Sequence, residues 1–221
     1  MFLIENGVDI SKPFRGADTP LYYACEQDNE NLVKILVELG ADVNFNIDIY
    51  GFTALFSSCL KRNESITKYL IEHGANVNAT WDSINYSDVR YSTSLAVSCY
   101  YRCTTLVKFL IDHGANVNLT YVDPEHHYPT PLCTACKNNN ESIIKYLVEH
   151  SADTNAEYNI SDCTRDICCC YEGATPLINA IEYNIDESIV SYLIEHCANV
   201  NNLHCPYGSY YYMEYQYTPL S

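Results

Sequence analysis

Two short motifs recur along this chain at a fixed distance, and that distance constrains the fold more than any other feature. A Thr-x-Leu motif begins at Thr19, Thr53, Thr93, Thr130, Thr175 and Thr218. A second motif of the type Gly-Ala-Asn-Val-Asn follows the first five, with its first position at Gly40, Gly74, Gly114, Ser151 and Cys197. The two motifs are 21 residues apart in four copies and one residue further apart in the fifth. Regular self-similarity of this kind indicates a repeat architecture.

The spacing between successive copies varies, as the intervals from Thr19 to Thr53 and from Thr130 to Thr175 show. The added residues therefore lie after the second motif and before the next Thr. We predict connecting insertions at residues 45–52, 79–92, 119–129, 156–174 and 202–217. The one extra residue of the fifth copy is expected near Ile185, between two helices.

Each constant segment predicts two short antiparallel helices. Thr is a good N-cap residue and Pro a good first helical residue, so the first helix begins at the Thr-x-Leu motif. The second helix is expected to begin near Asn29, Asn63, Asn140 and Asp186 and to end at the glycine position. Its apolar residues recur at helical spacing, as in Leu32, Val33, Leu36 and Val37. Neither helix can bury its apolar face alone, so adjacent pairs must stack.

These two motifs resemble the ankyrin repeat, whose pattern is Thr-Pro-Leu-His-x-Ala-Ala followed by Gly-Ala-Asp-Val-Asn. The resemblance implies an all-α ankyrin-repeat solenoid of stacked helix-turn-helix units joined by long β-hairpin-like loops. It implies one array over residues 1–221, with a partial repeat at 1–11, five helix pairs over 19–201 and the start of a further repeat at 218–221. Ser151 and Cys197 replace the family's left-handed glycine, so we expect the C-terminal repeats to be less stable.

Composition restricts the class of partner. The chain has 28 acidic and 12 basic side chains and a net charge of -16, which argues against nucleic acid. It has no apolar run of about 20 residues that could span a membrane. Glu5 interrupts the apolar N-terminal residues, so they do not form the apolar core of a secretion signal. We therefore expect an intracellular, cytoplasmic protein, and the incomplete units at both ends favour a piece of a longer array.

Nine of the twelve cysteines fall into two groups. Cys25, Cys59, Cys99 and Cys136 share one position of the first helix, where a thiol packs like a slightly larger Ala. The other group lies in the insertions and supports an alternative function, a metal- or redox-responsive scaffold. Its spacing is not a recognised zinc pattern, and its candidate ligands are Cys163, Cys168, Cys169, Cys170, His204 and Cys205.

The sequence predicts neither catalysis nor a required cofactor. A cysteine nucleophile needs a positioned His and an orienting acid. The repeat register instead places most cysteines and histidines on separated, parallel elements. Four histidines close the second helices, where a polar or cationic side chain suits the helix dipole: His73, His113, His150 and His196.

The ankyrin resemblance implies a protein-binding groove lined by the first helices and the connecting loops. Carried over to this chain, the first-helix residues are Tyr23, Glu26, Lys61, Tyr100, Tyr101, Lys137, Glu182 and Tyr183. The insertions add aromatic side chains of the kind enriched in binding surfaces, namely Trp81, Tyr86, Tyr121, Tyr128, Tyr210, Tyr211 and Tyr212.

The charge of the insertions predicts the kind of partner. Several acidic residues lie in them and would give the groove a negative field: Asp48, Asp82, Asp123, Glu125 and Glu172. We therefore expect a partner protein of basic or mixed charge. The alternative is that the Tyr-rich insertions are flexible spacers of biased composition.

Overall fold

The computed structural model describes residue 10 and residues 19–45, 52–80, 93–120, 129–162 and 169–201. Within these ranges the chain forms five pairs of helices and one pair of strands. The first helices have seven residues each: α1 (Pro20–Glu26), α3 (Ala54–Leu60), α5 (Ser94–Tyr100), α7 (Pro131–Lys137) and α9 (Pro176–Glu182). The second helices have nine: α2 (Glu30–Glu38), α4 (Glu64–Glu72), α6 (Thr104–Asp112), α8 (Glu141–Glu149) and α10 (Glu187–Glu195).

The Thr of every described Thr-x-Leu motif caps a first helix. In α1 the backbone N–H of Tyr22 donates to the Thr19 hydroxyl at 3.1 Å, and the other four caps have the same geometry. The second helices use Asn or Asp in the same way, except that Cys103 caps α6 without a side-chain hydrogen bond. The helix starts predicted from these capping residues are confirmed.

The second helices end in a left-handed residue. Gly40, Gly74 and Gly114 have φ between 86° and 89°. Ser151 and Cys197 occupy the same position with φ of 67° and 69°. A side chain costs about 1 kcal/mol in this conformation, so the last two repeats contain backbone strain that the first three avoid.

The helix pairs stack in order to form one continuous core. Each first helix packs on the first helix of the next pair, from α1 through α9. The core contains the Leu of each motif, from Leu21 to Leu177, together with the apolar face of each second helix. Cys25, Cys59, Cys99 and Cys136 are completely buried in it, so their predicted packing role is confirmed. The predicted all-α repeat solenoid is confirmed as well.

A side-chain bridge repeats between neighbouring pairs. The Asn78 side-chain amide donates to the carbonyl of Gly114 at 2.9 Å, and its oxygen accepts the backbone N–H of Asn116 at 2.7 Å. The same pair of bonds is made by Asn44, Asn118 and Asn155. The last Asn of each of the first four second motifs thus fixes the register between one repeat and the next.

One connection contains a β-hairpin. Strands β1 (Tyr158–Asp162) and β2 (Cys169–Ala174) pair antiparallel within the predicted 156–174 insertion. In an earlier connection, Thr80 and Thr93 form an isolated antiparallel bridge. Both features agree with the expected β-hairpin-like connections.

The extra residue of the fifth copy lies where the sequence predicted it. Ile185 stands between the left-handed Asn184 and the cap residue Asp186, and its side chain is buried. Its backbone N–H donates to the carbonyl of Ala180, the bond that Asn29 makes to Ala24 in the first pair. The turn therefore accommodates one more residue by adding an apolar side chain to the core.

Candidate functional site

The first-helix residues predicted to bind a partner lie at one edge of the array. All except Tyr23, which lies one turn earlier, are the last residue of a first helix or the residue that caps it. Because the first helices stack side by side, these positions recur along the same edge. Tyr23, Tyr100, Tyr101 and Tyr183 are exposed, with 54%, 37%, 38% and 46% of their surface accessible.

The turn that follows each first helix contains a left-handed residue that is not glycine. These residues are Asp28, Arg62, Arg102, Asn139 and Asn184, with φ between 49° and 61°. Asn and Asp tolerate this conformation better than Arg does. Arg62 and Arg102 therefore introduce backbone strain into the turns of the second and third helix pairs.

Side-chain contacts link these turns from one repeat to the next. The Arg62 guanidinium lies 5.8 Å from the centre of the Tyr101 ring, and Tyr100 packs edge-on against Tyr101 at 5.0 Å. Arg102 donates to the carbonyl of Asn139 at 3.3 Å. The Lys137 ammonium lies 5.5 Å from the centre of the Tyr183 ring. We call this continuous surface the turn ridge, formed by Lys61, Arg62, Tyr100, Tyr101, Arg102, Lys137 and Tyr183.

Arg62 and Arg102 were not among the candidates derived from the sequence. Each is adjacent to a candidate, Lys61 or Tyr101, but the family register does not assign a binding role to the left-handed position. The sequence signal that could have identified the two arginines is the positive charge that recurs after the first helices, at Lys61, Arg62 and Arg102. In the described residues the ridge is basic and aromatic. The acidic residues from which the sequence predicts a negative field, Asp48, Asp82, Asp123 and Glu125, lie outside the described residues, and Glu172 is placed only as part of β2.

The second helices present a different row of cations. Lys34, Lys68, Lys108 and Lys145 each lie 5.3–5.9 Å from the centre of an aromatic ring in the following repeat. Each ring in turn packs at 4.0–4.1 Å against the His that ends its own helix. The histidine Nδ1 of each pair lies 2.8 Å from the carbonyl of its aromatic partner. The histidines therefore have a structural role, as expected, through stacking as well as position.

The β-hairpin packs on the first helices through a buried polar contact. The Tyr158 hydroxyl donates to the Asn179 side-chain oxygen at 3.1 Å, and the Asn179 amide donates to the carbonyl of Cys133 at 3.2 Å. Tyr158 packs with Cys133 and Ala174, and burial raises the pKa of its phenol well above the ordinary value. This contact fixes β1 against α7 and α9, and sequence reasoning did not identify it.

The repeated sequence of this chain matches models of a known protein family. A family model described as ankyrin repeats in three copies matches residues 1–80 and 82–158, and a second, described as ankyrin repeats in many copies, matches residues 132–194. The chain belongs to the ankyrin-repeat family. No curated protein matches the chain.

Ankyrin repeats generally serve as protein–protein interaction modules and are typically non-catalytic. The buried cysteines among the described residues of this ankyrin array have properties that suit packing. Burial raises the pKa of the Cys59 thiol to about 11, against hydrogen bonds that lower it, and raises that of Cys133 to about 12. Cys103 is only partly buried, and burial also raises the pKa of its thiol. A nucleophilic cysteine needs the opposite shift, because the thiolate is the reactive form.

Several candidates from the sequence fall outside what the structure describes. Over the ranges that it does describe, no three His, Cys, Asp or Glu side chains are grouped to hold a metal ion. Cys169 and Cys170 lie in β2, and the other candidate ligands, Cys163, Cys168, His204 and Cys205, lie outside the described residues. So do the aromatic candidates of the insertions, Trp81, Tyr86, Tyr121, Tyr128, Tyr210, Tyr211 and Tyr212. None of the described helices has the length and apolar composition needed to cross a bilayer.

Proposed function

We propose that this ankyrin array is a non-catalytic scaffold that binds a partner protein through the first-helix edge and the Tyr-rich connecting segments. The observation that carries the proposal is the row of exposed aromatic side chains on this edge. Tyr23, Tyr100, Tyr101 and Tyr183 come from the first, third and fifth helix pairs. Tyrosine provides a large contact area with few rotatable bonds, so it binds at a low entropic cost.

The rigidity of the scaffold supports the same proposal. The exposed tyrosines lie on capped helices whose opposite faces are buried in a continuous core. Binding residues that are held by such a scaffold lose little conformational freedom when a partner docks. We propose a partner of mixed charge, because the turn ridge on this edge is basic, whereas Glu26 and Glu182 at its two ends and the insertions are acidic.

Two further proposals concern extent and location. We propose that residues 1–11 and 218–221 belong to the same array, since the family match extends to the first residue and Thr218 begins another Thr-x-Leu motif. We also propose an intracellular, cytoplasmic location, which the free cysteines of the described core support, because disulfides are rare in reducing compartments. Fractionation of the native host cell tests the location.

The test of the binding proposal begins with affinity capture from native lysate and identification of the partner by mass spectrometry. The affinity of the purified partner is then measured by calorimetry for wild type and for a Tyr23→Ser, Tyr100→Ser variant. We expect affinity to fall about 30-fold, as for aromatic residues at the centre of an interface. The matched control, Ile35→Ser with Ile194→Ser, removes two exposed side chains of the second helices and should retain affinity.

The contribution of the connecting segments is tested separately. A Tyr210→Ser, Tyr211→Ser, Tyr212→Ser variant should bind the same partner more weakly while its helicity, measured by circular dichroism, stays unchanged. Unchanged affinity in this variant would show that the last Tyr-rich segment is a spacer. Unchanged affinity in the Tyr23, Tyr100 variant as well would contradict the proposed binding edge.

A further inference from the structure

We propose that the turn ridge binds an extended acidic segment of the partner protein. This inference rests on the proposed function and specifies the chemistry that the first-helix edge recognises. The chain has a net charge of -16, yet its described cations are concentrated in two places. The eight described cations form two rows of four. One row lies on the second helices, and the other lies on the ridge at Lys61, Arg62, Arg102 and Lys137.

The two rows differ in their carboxylate partners. On the second helices, the Lys34 and Lys145 ammonium groups lie 2.7 Å from a carboxylate of the preceding turn, and Lys68 lies 3.6 Å from one. Among the described residues, no carboxylate lies within ion-pair distance of a ridge cation. The ridge therefore keeps positive charge that the other row has largely neutralised.

Aromatic rings hold the ridge cations without neutralising them. Arg62 lies over Tyr101 and Lys137 lies over Tyr183, so ring contacts restrict these flexible side chains. Arg102 is held by the carbonyl of Asn139. A carboxylate that approaches Arg62 or Arg102 would meet a cation that is already positioned, and no described carboxylate lies within ion-pair distance of either. Lys137 also attracts the Glu182 carboxylate, which opposes the rise in the pKa of that carboxyl caused by burial.

The extent of the ridge indicates the shape of the segment. The cations come from three successive pairs, and packed helices lie about 10 Å apart, so the charged strip is roughly 20 Å long. An extended chain covers this length with about six residues. Acidic side chains bound the strip, with Glu26 and Asp28 in the first pair and Glu182 in the fifth. An acidic segment longer than the strip would meet repulsion at both ends.

The same observations favour a peptide over nucleic acid. Single-stranded nucleic acid binds to aromatic faces that are free for base stacking. Cations lie over the rings of Tyr101 and Tyr183, and Tyr100 packs edge-on against Tyr101. The net charge of the chain also opposes a long polyanion, which could not confine its phosphates to the strip.

The test compares two variants that lose the same charge from different rows. The ridge variant is Arg62→Asn with Arg102→Asn, because Asn139 and Asn184 occupy this left-handed position in the fourth and fifth pairs. The control variant is Lys68→Ser with Lys108→Ser, because Ser191 occupies that position in the fifth pair. The probes are a fluorescein-labelled peptide of alternating Glu and Ala and an oligothymidylate of equal charge, measured by fluorescence anisotropy at low salt.

Wild type should bind the peptide more tightly than the oligothymidylate. The ridge variant should lose about tenfold in peptide affinity, and the control variant less than about twofold. Circular dichroism and the thermal midpoint of each variant establish that it is folded. An equal loss in both variants, tighter binding of the oligothymidylate, or no binding of the peptide by wild type would each overturn the proposal.

The purified partner distinguishes this inference from the proposed function. If the Tyr23, Tyr100 variant loses the partner while the ridge variant retains it, the acidic-segment inference is wrong and the binding edge stands. If both variants retain the partner, the binding edge itself is wrong. We expect the partner to be lost from both and to be retained by the Lys68, Lys108 control.

Discussion

The interior helix pairs and the fifth pair have the same local structure but differ in what covers them. Ile71 in the second pair is 9% exposed, whereas Ile194, at the same position of the fifth pair, is 44% exposed. Ile181 is 48% exposed, while the four cysteines at its position in the earlier pairs are completely buried. In a repeat protein, each unit is stabilised mainly by its neighbours. Helix pairs with the same local structure therefore contribute different amounts to the free energy of unfolding, according to their place in the stack.

The largest difference between the two regions is expected when Ile71 and Ile194 are each replaced by Ala. Ile71→Ala should lower the free energy of unfolding by about 2–5 kcal/mol, because it leaves a cavity in the core. Ile194→Ala should change it by less than about 0.5 kcal/mol, because much of that side chain is already in water. Urea denaturation followed by circular dichroism measures both. Equal losses would mean that the C-terminal face is covered in solution.

The asparagine bridge offers a second matched pair. Asn78→Ala removes two hydrogen bonds to the next repeat and should lower the free energy of unfolding by about 1–2 kcal/mol. Asn201 occupies the same position of the fifth pair, and its side chain has no hydrogen bond to any other described residue. Asn201→Ala should therefore be close to neutral. A large loss at Asn201, measured by the same denaturation, would contradict the comparison.

The left-handed residue after each second helix allows a test in which the fifth pair is given the glycine of the first three pairs. Cys197→Gly should raise the free energy of unfolding by about 0.5–1 kcal/mol, since glycine adopts this φ without strain. Gly114→Cys should lower it by a similar amount. A Cβ at Gly114 would have no atom within 4 Å, so its cost comes from the backbone alone. Thermal unfolding of both variants measures the two changes, and a shared sign would refute the strain argument.

An effect of similar size is expected at α6, an interior helix whose N-cap residue makes no side-chain hydrogen bond. Cys103→Asn should add the hydrogen bond that Asn29, Asn63 and Asn140 make in other pairs. We expect a gain of about 0.5–1 kcal/mol in the free energy of unfolding. The reverse substitution, Asn140→Cys, should cost a similar amount. If Cys103→Asn gives no gain by thermal unfolding, helix capping does not limit the stability of the third pair.

Much of the fold could be predicted because its signals are local. A capping Thr or Asn acts on a backbone N–H within three residues, and a left-handed glycine acts within its own turn. The eight candidates of the first-helix edge followed from the family register in the same way. Their contacts could not be predicted, because Arg62 and Tyr101, or Lys137 and Tyr183, are separated by whole repeats whose connecting segments vary in length.

The sequence by itself determined the helix pairs, most of their caps, the extra residue at Ile185 and the burial of the four first-helix cysteines, Cys25, Cys59, Cys99 and Cys136. Only the tertiary structure decided which aromatic rings the cations of the preceding repeat lie over and how Tyr158 fixes the β-hairpin to Asn179. The physical reason is the range of each interaction. Capping, apolar periodicity and the Glu–Lys pairs of the second helices act within a few residues, whereas the contacts between cations and rings depend on distances between repeats, which stacking alone fixes.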